Sequence, residues 1–246
     1  MSKMKFSTSI LFFVLTLGFT KMNAQENNAQ NQSLDSKQQG LAAISALTAT
    51  GNLEELNNQL NQGLDTGLTI NEIKEALVQL YAYCGFPRIL NAINTFRTVL
   101  EQRKSKGIND KIGVAIIEEN DVPDKYEQGR KVLEKLTRTK QIKPAPGFGE
   151  FAPRVDTFLK EHLFADIFAS DVLSYQQREL VTISALATMQ GVDPQLKSHI
   201  GMGKNTGMTQ LQLREICYII ERYINKNQAN IFSRLIDEVF EVDEYK

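Results

Sequence analysis

The residues best suited to chemistry lie in one stretch, residues 177–209, which reads QRELVTISALATMQGVDPQLKSHIGMGKNTGMT. This stretch sets Arg178, Glu179 and His199 among apolar residues. A histidine that is oriented by a carboxylate is a common device for moving a proton, and an arginine can hold a carboxylate group of a substrate. The residue types alone leave open whether these three side chains have a structural role or a catalytic one.

Helical spacing indicates how Glu179 and His199 could meet. On a helix that begins near Tyr175, Glu179 shares a face with apolar residues, and a buried carboxylate needs a partner. Asp193 and Pro194 can begin the next helix, which places His199 on its apolar face. Two consecutive antiparallel helices would bring the two side chains together. A buried Glu–His pair with a purely structural role explains the pattern equally well.

The sequence contains the same unit twice, because residues 38–69 match residues 176–209. Both copies contain the motif ISAL, and TGLT in the first copy corresponds to TGMT in the second. The match continues with Glu75 against Glu215 and Tyr83 against Tyr223. Two copies of one unit therefore account for most of the chain.

The two copies differ at the candidate site. The first copy has Gly40 where the second has Glu179, and Gln59 where the second has His199. A requirement of the core that both copies share would have kept the pair in both. The asymmetry therefore favours a functional role for Glu179 and His199.

The apolar periodicity of both copies predicts helices. In the first copy, a helix from about Leu53 should end at Gly67, and Thr69 with Glu72 has the spacing of a capping box that begins the next helix. Thr209 and Gln212 repeat that spacing, and the GFP sequence before Arg88 should break the long helix. Only residues 113–117, GVAII, resemble a short strand. We therefore expect an all-α protein.

The chain divides into five segments by composition. Residues 1–24 are typical of a secretory signal peptide, with two lysines before an apolar run and a small residue at the cleavage position. Four segments follow: a polar tail (25–33), a first repeat (34–103), a linker with one helix (104–152) and a second repeat (153–246). We expect an exported protein, periplasmic or secreted, with no membrane segment after removal of the signal peptide.

Charge and cysteine content limit the remaining classes. The net charge is −1, with basic residues spread along the chain, so nucleic acid is not an expected partner. The two cysteines, Cys84 and Cys217, could form a disulfide in an oxidising compartment or remain as buried free thiols. His162 follows Glu161 on an amphipathic pattern and is interpreted as a surface histidine or one with a satisfied hydrogen bond.

Both copies resemble the carboxymuconolactone decarboxylase family, which is related to alkyl hydroperoxidase D. In the second copy the resemblance lies in RELV, the histidine and NTGMTQLQLREI, and in the first copy it lies in TGLTINEIKEALVQLYAYCGFPRILNAI. The resemblance implies an all-α fold in which two tandem alkyl hydroperoxidase D-like units form a fused pseudo-dimer. It also implies a homo-oligomer, a trimer of such pseudo-dimers.

Decarboxylases of this family act on a lactone acid without a metal or an organic cofactor. The resemblance therefore implies His199 as the catalytic acid and Glu179 as the group that orients it. The substrate-binding residues that it suggests are Arg178, Tyr81, Tyr83, Cys84 and Asn205. For each of these a structural role is the alternative.

The hydroperoxidase branch of the family carries a CxxC pair beside its glutamate and histidine, and the corresponding positions here are Val192 and Gln195. A peroxidase that uses two cysteines is therefore disfavoured. Two hypotheses remain for the site: cofactor-free decarboxylation or isomerisation of a small carboxylated or lactone substrate, and a non-catalytic exported binding module.

Overall fold

The computed structural model describes residues 33–117 and 121–241, and within these ranges it is helical with no strand. The predicted signal peptide and the predicted tail up to residue 32 lie outside the described residues. The α-helices are α1 (Ser36–Thr50), α2 (Leu53–Asp65), α3 (Ile70–Ser105), α4 (Lys125–Thr137), α5 (Phe148–Phe151), α6 (Pro153–Thr157), α7 (Tyr175–Leu186), α8 (Asp193–Asn205), α9 (Gln210–Tyr223) and α10 (Lys226–Glu241).

The helix boundaries follow the capping signals of the sequence. The Thr69 hydroxyl accepts a hydrogen bond from the Glu72 amide at 3.2 Å, and the Glu72 carboxylate accepts one from the Thr69 amide at 2.7 Å. Thr209 and Gln212 form the same reciprocal pair, with both bonds at 3.1 Å, at the start of α9. The two predicted capping boxes are confirmed, and they begin equivalent helices in the two repeats.

The long helix α3 is two helices joined at a kink. Gly85 has φ 76° and ψ 159°, a conformation that side chains disfavour, and Pro87 follows it inside the helix. The predicted break at GFP is therefore confirmed. In the second repeat the matching break separates α9 from α10 near Ile224, which has φ −116° and ψ −83°.

The two repeats share one hydrophobic core. Helices α1 and α7 occupy equivalent positions in the two repeats and pack against each other. Fully buried side chains from both contribute to this core, among them Ile44 and Leu47 of α1 and Ile183 of α7. The expected all-α fused pseudo-dimer is confirmed. Because the core is continuous, each repeat completes the other rather than folding around a separate centre.

The segment with the strand-like sequence GVAII is not a strand. It passes the start of α3, where the carbonyls of Lys111 and Ile112 each accept a hydrogen bond from an amide of the first helical turn at 2.9 Å. The Asn71 side chain also donates to the Val114 carbonyl at 2.7 Å. The extended segment therefore satisfies the free amides at the helix N-terminus instead of pairing with another strand.

The predicted amphipathic helix before the second repeat is less regular than expected. It forms a π-helical segment (Phe158–Asp166) and a short 3₁₀ turn (Ile167–Ala169). The predicted linker helix, α4, packs directly on the π-helical segment. A Cβ atom on Gly129 would lie only 1.8 Å from the Lys160 carbonyl oxygen, so only glycine permits this approach.

Within the described ranges, none of the helices has the length and apolar character that crossing a bilayer requires.

Candidate functional site

Helices α7 and α8 bring Glu179 and His199 together, as their helical faces predicted. The His199 Nδ1 atom lies 2.7 Å from the Glu179 Oε2 atom. Glu179 is fully buried, and His199 is only 7% exposed. A carboxylate at Nδ1 keeps the proton of that nitrogen in place, so Nε2 is the ring nitrogen that remains to exchange a proton.

Two polar atoms beside this pair have no hydrogen-bond partner among the described residues. They are the second carboxylate oxygen of Glu179 and the hydroxyl oxygen of Tyr83, both buried. The Tyr83 ring lies edge-on to the His199 ring with centroids 5.5 Å apart, and the Thr182 side chain lies close to its hydroxyl. Buried polar atoms without a protein partner are rare, and each needs an explanation such as a bound water, a ligand or a catalytic role.

Tyr83 remains a neutral hydroxyl group at physiological pH. Burial raises its pKa well above the usual value, and the negative charge of Glu179 raises it further. Tyr83 can therefore donate a hydrogen bond but cannot act as a phenolate base.

The site is composite, because Tyr83 belongs to α3 of the first repeat whereas the other two residues belong to the second. A buried amide holds α3 in place: the Gln79 side chain donates to the Arg178 carbonyl and to the Thr182 hydroxyl, both at 2.8 Å. The sequence reasoning missed Gln79 and Thr182. Their signal was a polar residue between apolar neighbours on a buried helix face.

Arg178 lies fully buried between the two repeats. Its guanidinium group donates to Glu75 at 3.0 Å, to Gln79 at 2.9 Å and to the Ser170 carbonyl at 2.8 Å, and it lies over the Phe168 ring. These contacts describe a structural bridge. The predicted role of Arg178 in binding a substrate carboxylate stays a prediction.

The other predicted site residues lie among different neighbours. Tyr81 stacks on Phe86 with ring centroids 4.8 Å apart. The Asn205 side chain donates to the Leu136 carbonyl at 2.8 Å, which ties the end of α8 to α4. Neither contact involves Glu179 or His199, so of the two predicted tyrosines the fold brings only Tyr83 against the pair.

Both cysteines are free thiols, which decides between the two alternatives that the sequence left open. Cys84 follows Tyr83 and is partly buried, and burial raises its pKa to about 11. Because the thiolate is the reactive form, Cys84 is a poor nucleophile at neutral pH.

His162 is a surface histidine, as expected. Its side chain is 46% exposed, and its Nδ1 atom lies 3.3 Å from Asp166, one helical turn later. The chain contains two histidines, so His199 is the buried one and His162 its exposed counterpart.

Nowhere in residues 33–117 and 121–241 do three His, Cys, Asp or Glu side chains gather in a way that could hold a metal ion.

Comparison with known proteins bears on both repeats. The model of the family described as "Carboxymuconolactone decarboxylase family" matches the chain twice, at residues 18–97 and 153–236. The two matches stand in tandem and together cover more than half of the sequence. No curated protein matches the chain.

Proposed function

Since the chain belongs to the carboxymuconolactone decarboxylase family, we propose that it performs cofactor-free acid–base chemistry on a small carboxylated or lactone substrate. The reaction class is decarboxylation or isomerisation. The observation that carries the proposal is the buried hydrogen bond between Glu179 and His199. Family membership supplies the scaffold, and this pair supplies a group able to move a proton.

In the proposed decarboxylation, the bond between the substrate carbon and its carboxylate breaks and carbon dioxide leaves. The electron pair of that bond is delocalised onto the neighbouring carbonyl as an enolate. His199, carrying a proton on Nε2, gives this proton to the carbon and regains one from water. In the proposed isomerisation, His199 takes a proton from one carbon and returns it to another.

Glu179 acts through His199, as a positioning residue. Its carboxylate fixes the ring orientation and stabilises the charged imidazolium form during the reaction. The Tyr83 hydroxyl, neutral and without a partner among the described residues, is suited to donate to the enolate oxygen as its negative charge develops. This gives each repeat a part in one site.

Two alternatives use the same scaffold. A peroxidase would need a reactive thiol, and neither the residues at the CxxC positions nor the raised pKa of Cys84 supports one. A non-catalytic binding module would bind a ligand through the same residues without turnover, and the experiment below separates it from an enzyme.

The test is turnover of the chain from residue 25 onward against a panel of small lactone acids and keto acids, with carbon dioxide and product masses measured. His199→Gln copies the residue of the first repeat. We expect it to lower kcat by about 10² to 10⁴, the usual contribution of a general acid or base. Glu179→Gln should also lower kcat while leaving KM nearly unchanged, because it removes orientation rather than contact with substrate.

The matched control is His162→Gln, which makes the same change at the exposed histidine and should leave turnover intact. Turnover that survives in His199→Gln would remove this residue from the mechanism. If no substrate of the panel reacts but one still raises the melting temperature, the binding module is the better explanation.

A further inference from the structure

A cavity lies between the first repeat and α9 of the second repeat, at the position equivalent to the Glu179–His199 site. It has a volume of about 240 Å³, and its lining includes Gly40, Gln59 and Tyr223. These are the residues that correspond in the repeat alignment to Glu179, His199 and Tyr83. The cavity is therefore the counterpart of the candidate active site.

The cavity contains no carboxylate at the position that Glu179 occupies in the other repeat, because Gly40 stands there and lines the cavity. A Cβ atom on Gly40 would be in ordinary van der Waals contact, with its nearest neighbours at 3.4 Å, so a side chain is sterically possible at this position. Gln59 remains where the histidine would be, and its amide nitrogen donates to the Tyr223 hydroxyl at 3.1 Å. Because Tyr223 accepts this bond, its own hydroxyl proton is available to a ligand.

The charge of the cavity favours an anion. Its lining contains one arginine, Arg222, and no aspartate or glutamate. Arg222 is exposed, lies over the Tyr223 ring at 5.1 Å, and forms no ion pair within the described part of the chain. The Glu55 carboxylate accepts a hydrogen bond from the Gln59 amide at 3.2 Å and does not line the cavity. The remaining polar lining consists of neutral hydroxyl and amide groups.

We propose that this cavity is a second site of the chain, which binds small organic carboxylates without reacting with them. Arg222 supplies the charge for the carboxylate, and the Tyr223 hydroxyl donates to the same group or to a neighbouring oxygen. With an amide at position 59 and no acid at position 40, no group exchanges a proton at neutral pH. The volume lies below the roughly 300–1,000 Å³ of sites for drug-sized ligands, so the ligand is small.

The expectation that the ligand resembles the substrate rests on the proposed function, whereas the anion preference rests on the cavity alone. The test therefore uses a probe that needs no turnover. Binding of 4-fluorobenzoate is measured by fluorine NMR, with 4-fluorobenzyl alcohol as the neutral comparison. We expect the carboxylate to bind more tightly than the alcohol.

Two variants examine the cavity independently. Gly40→Gln fills the space with a neutral side chain, and Arg222→Gln removes the exposed charge; each should weaken the binding of 4-fluorobenzoate at least tenfold. Arg154→Gln is the matched control, because Arg154 is also exposed and lies over an aromatic ring, Phe158, at 5.6 Å. It should leave binding unchanged.

His199→Gln distinguishes this proposal from the proposed function. Binding that is lost in His199→Gln but kept in both cavity variants would assign the probe to the catalytic pair and overturn the second site. Absence of any carboxylate binding at millimolar concentration would overturn it as well. Neither result would depend on whether the chain turns over a substrate. Arg222 is exposed, so Arg222→Gln keeps the test decisive if Gly40→Gln unfolds.

Discussion

At the scale of single residues, His199 and Glu179 differ from an ordinary buried ion pair in what surrounds them. One carboxylate oxygen of Glu179 holds His199, while the other has no partner among the described residues. A buried polar atom without a hydrogen bond costs about 1–3 kcal/mol, so the second oxygen of Glu179 needs a bound water or a ligand, or its cost is offset elsewhere in the fold. The open oxygen and the Tyr83 hydroxyl are consistent with a site that a ligand completes.

The raised pKa of Cys84 should make its reaction with alkylating reagents slow at neutral pH. With a pKa of about 11, it should be almost entirely protonated at neutral pH, with a thiolate fraction of roughly one in a thousand at pH 8. The thiolate is the form that reacts, so the rate of alkylation by iodoacetamide should rise about tenfold per pH unit between pH 7 and 9.5. Mass spectrometry of the peptide that contains Cys84 measures this rate.

Glutathione serves as the control for Cys84, since its rate should level off near its ordinary pKa within the same range. A Cys84 rate that is fast at pH 7 and constant above pH 8 would contradict the raised pKa. It would also reopen a thiol-based function for the residue.

At the scale of helices, Arg178 connects α7 of the second repeat to α3 of the first. Its ion pair with Glu75 is buried on both sides, with side-chain exposures of 0% and 4%. The same guanidinium also binds Gln79, whose amide in turn holds α7 through Thr182. This network sets the position from which Tyr83 reaches His199.

We expect Arg178→Met to destabilise the protein by about 3–5 kcal/mol, because it leaves Glu75 as a buried charge without a partner. Urea unfolding followed by circular dichroism measures the change. The double variant Arg178→Met with Glu75→Leu should recover much of the loss, since it removes both charges.

Arg97→Met is the matched control for this bridge. Arg97 also pairs with a glutamate, Glu101, but both side chains are exposed, at 72% and 69%, so the cost should be about 0.5 kcal/mol or less. Equal effects of the two arginine variants would show that the buried network has no special contribution.

At the scale of the whole molecule, helix α3 carries large apolar side chains on the surface of the chain. Val78, Phe86, Leu90 and Ile93 are between 40% and 63% exposed. Several exposed apolar residues on one helix are typical of a surface that contacts another protein. They offer a surface for contact with another copy of the chain, and the trimer of fused pseudo-dimers stays a prediction.

Export and trimer formation can be tested in one expression experiment. We expect expression of residues 1–246 in a bacterial host with a periplasm to yield a product that begins at Gln25. Light scattering should give three times the mass of that chain. Leu90→Lys should shift the particle toward a single chain, because burying a lysine in an apolar contact is unfavourable. Retention of the signal segment, or a single-chain mass for the unaltered protein, would contradict the proposal.

Much of the fold could be predicted from the sequence because its signals are local. The capping boxes at Thr69 and Thr209 and the break at Gly85 are decided by hydrogen bonds and backbone angles within a few residues. The repeat itself could be recognised by comparing the sequence with itself. The close packing of the π-helical segment on Gly129 could not be predicted, because Gly129 and Lys160 are about thirty residues apart along the chain.

The sequence by itself determined that the chain is all-α, that it contains two copies of one unit, and that Glu179 and His199 can lie side by side where the first copy has Gly40 and Gln59. Each of these follows from periodicity, from self-similarity, or from the spacing of two consecutive helices. Only the tertiary structure decided which distant residues meet. Tyr83 rather than Tyr81 faces His199, Arg178 is a buried bridge, and Gly40 lines a cavity together with Gln59 and Tyr223. These depend on how the repeats pack against each other, and contacts between residues about one hundred positions apart leave no local pattern in the sequence.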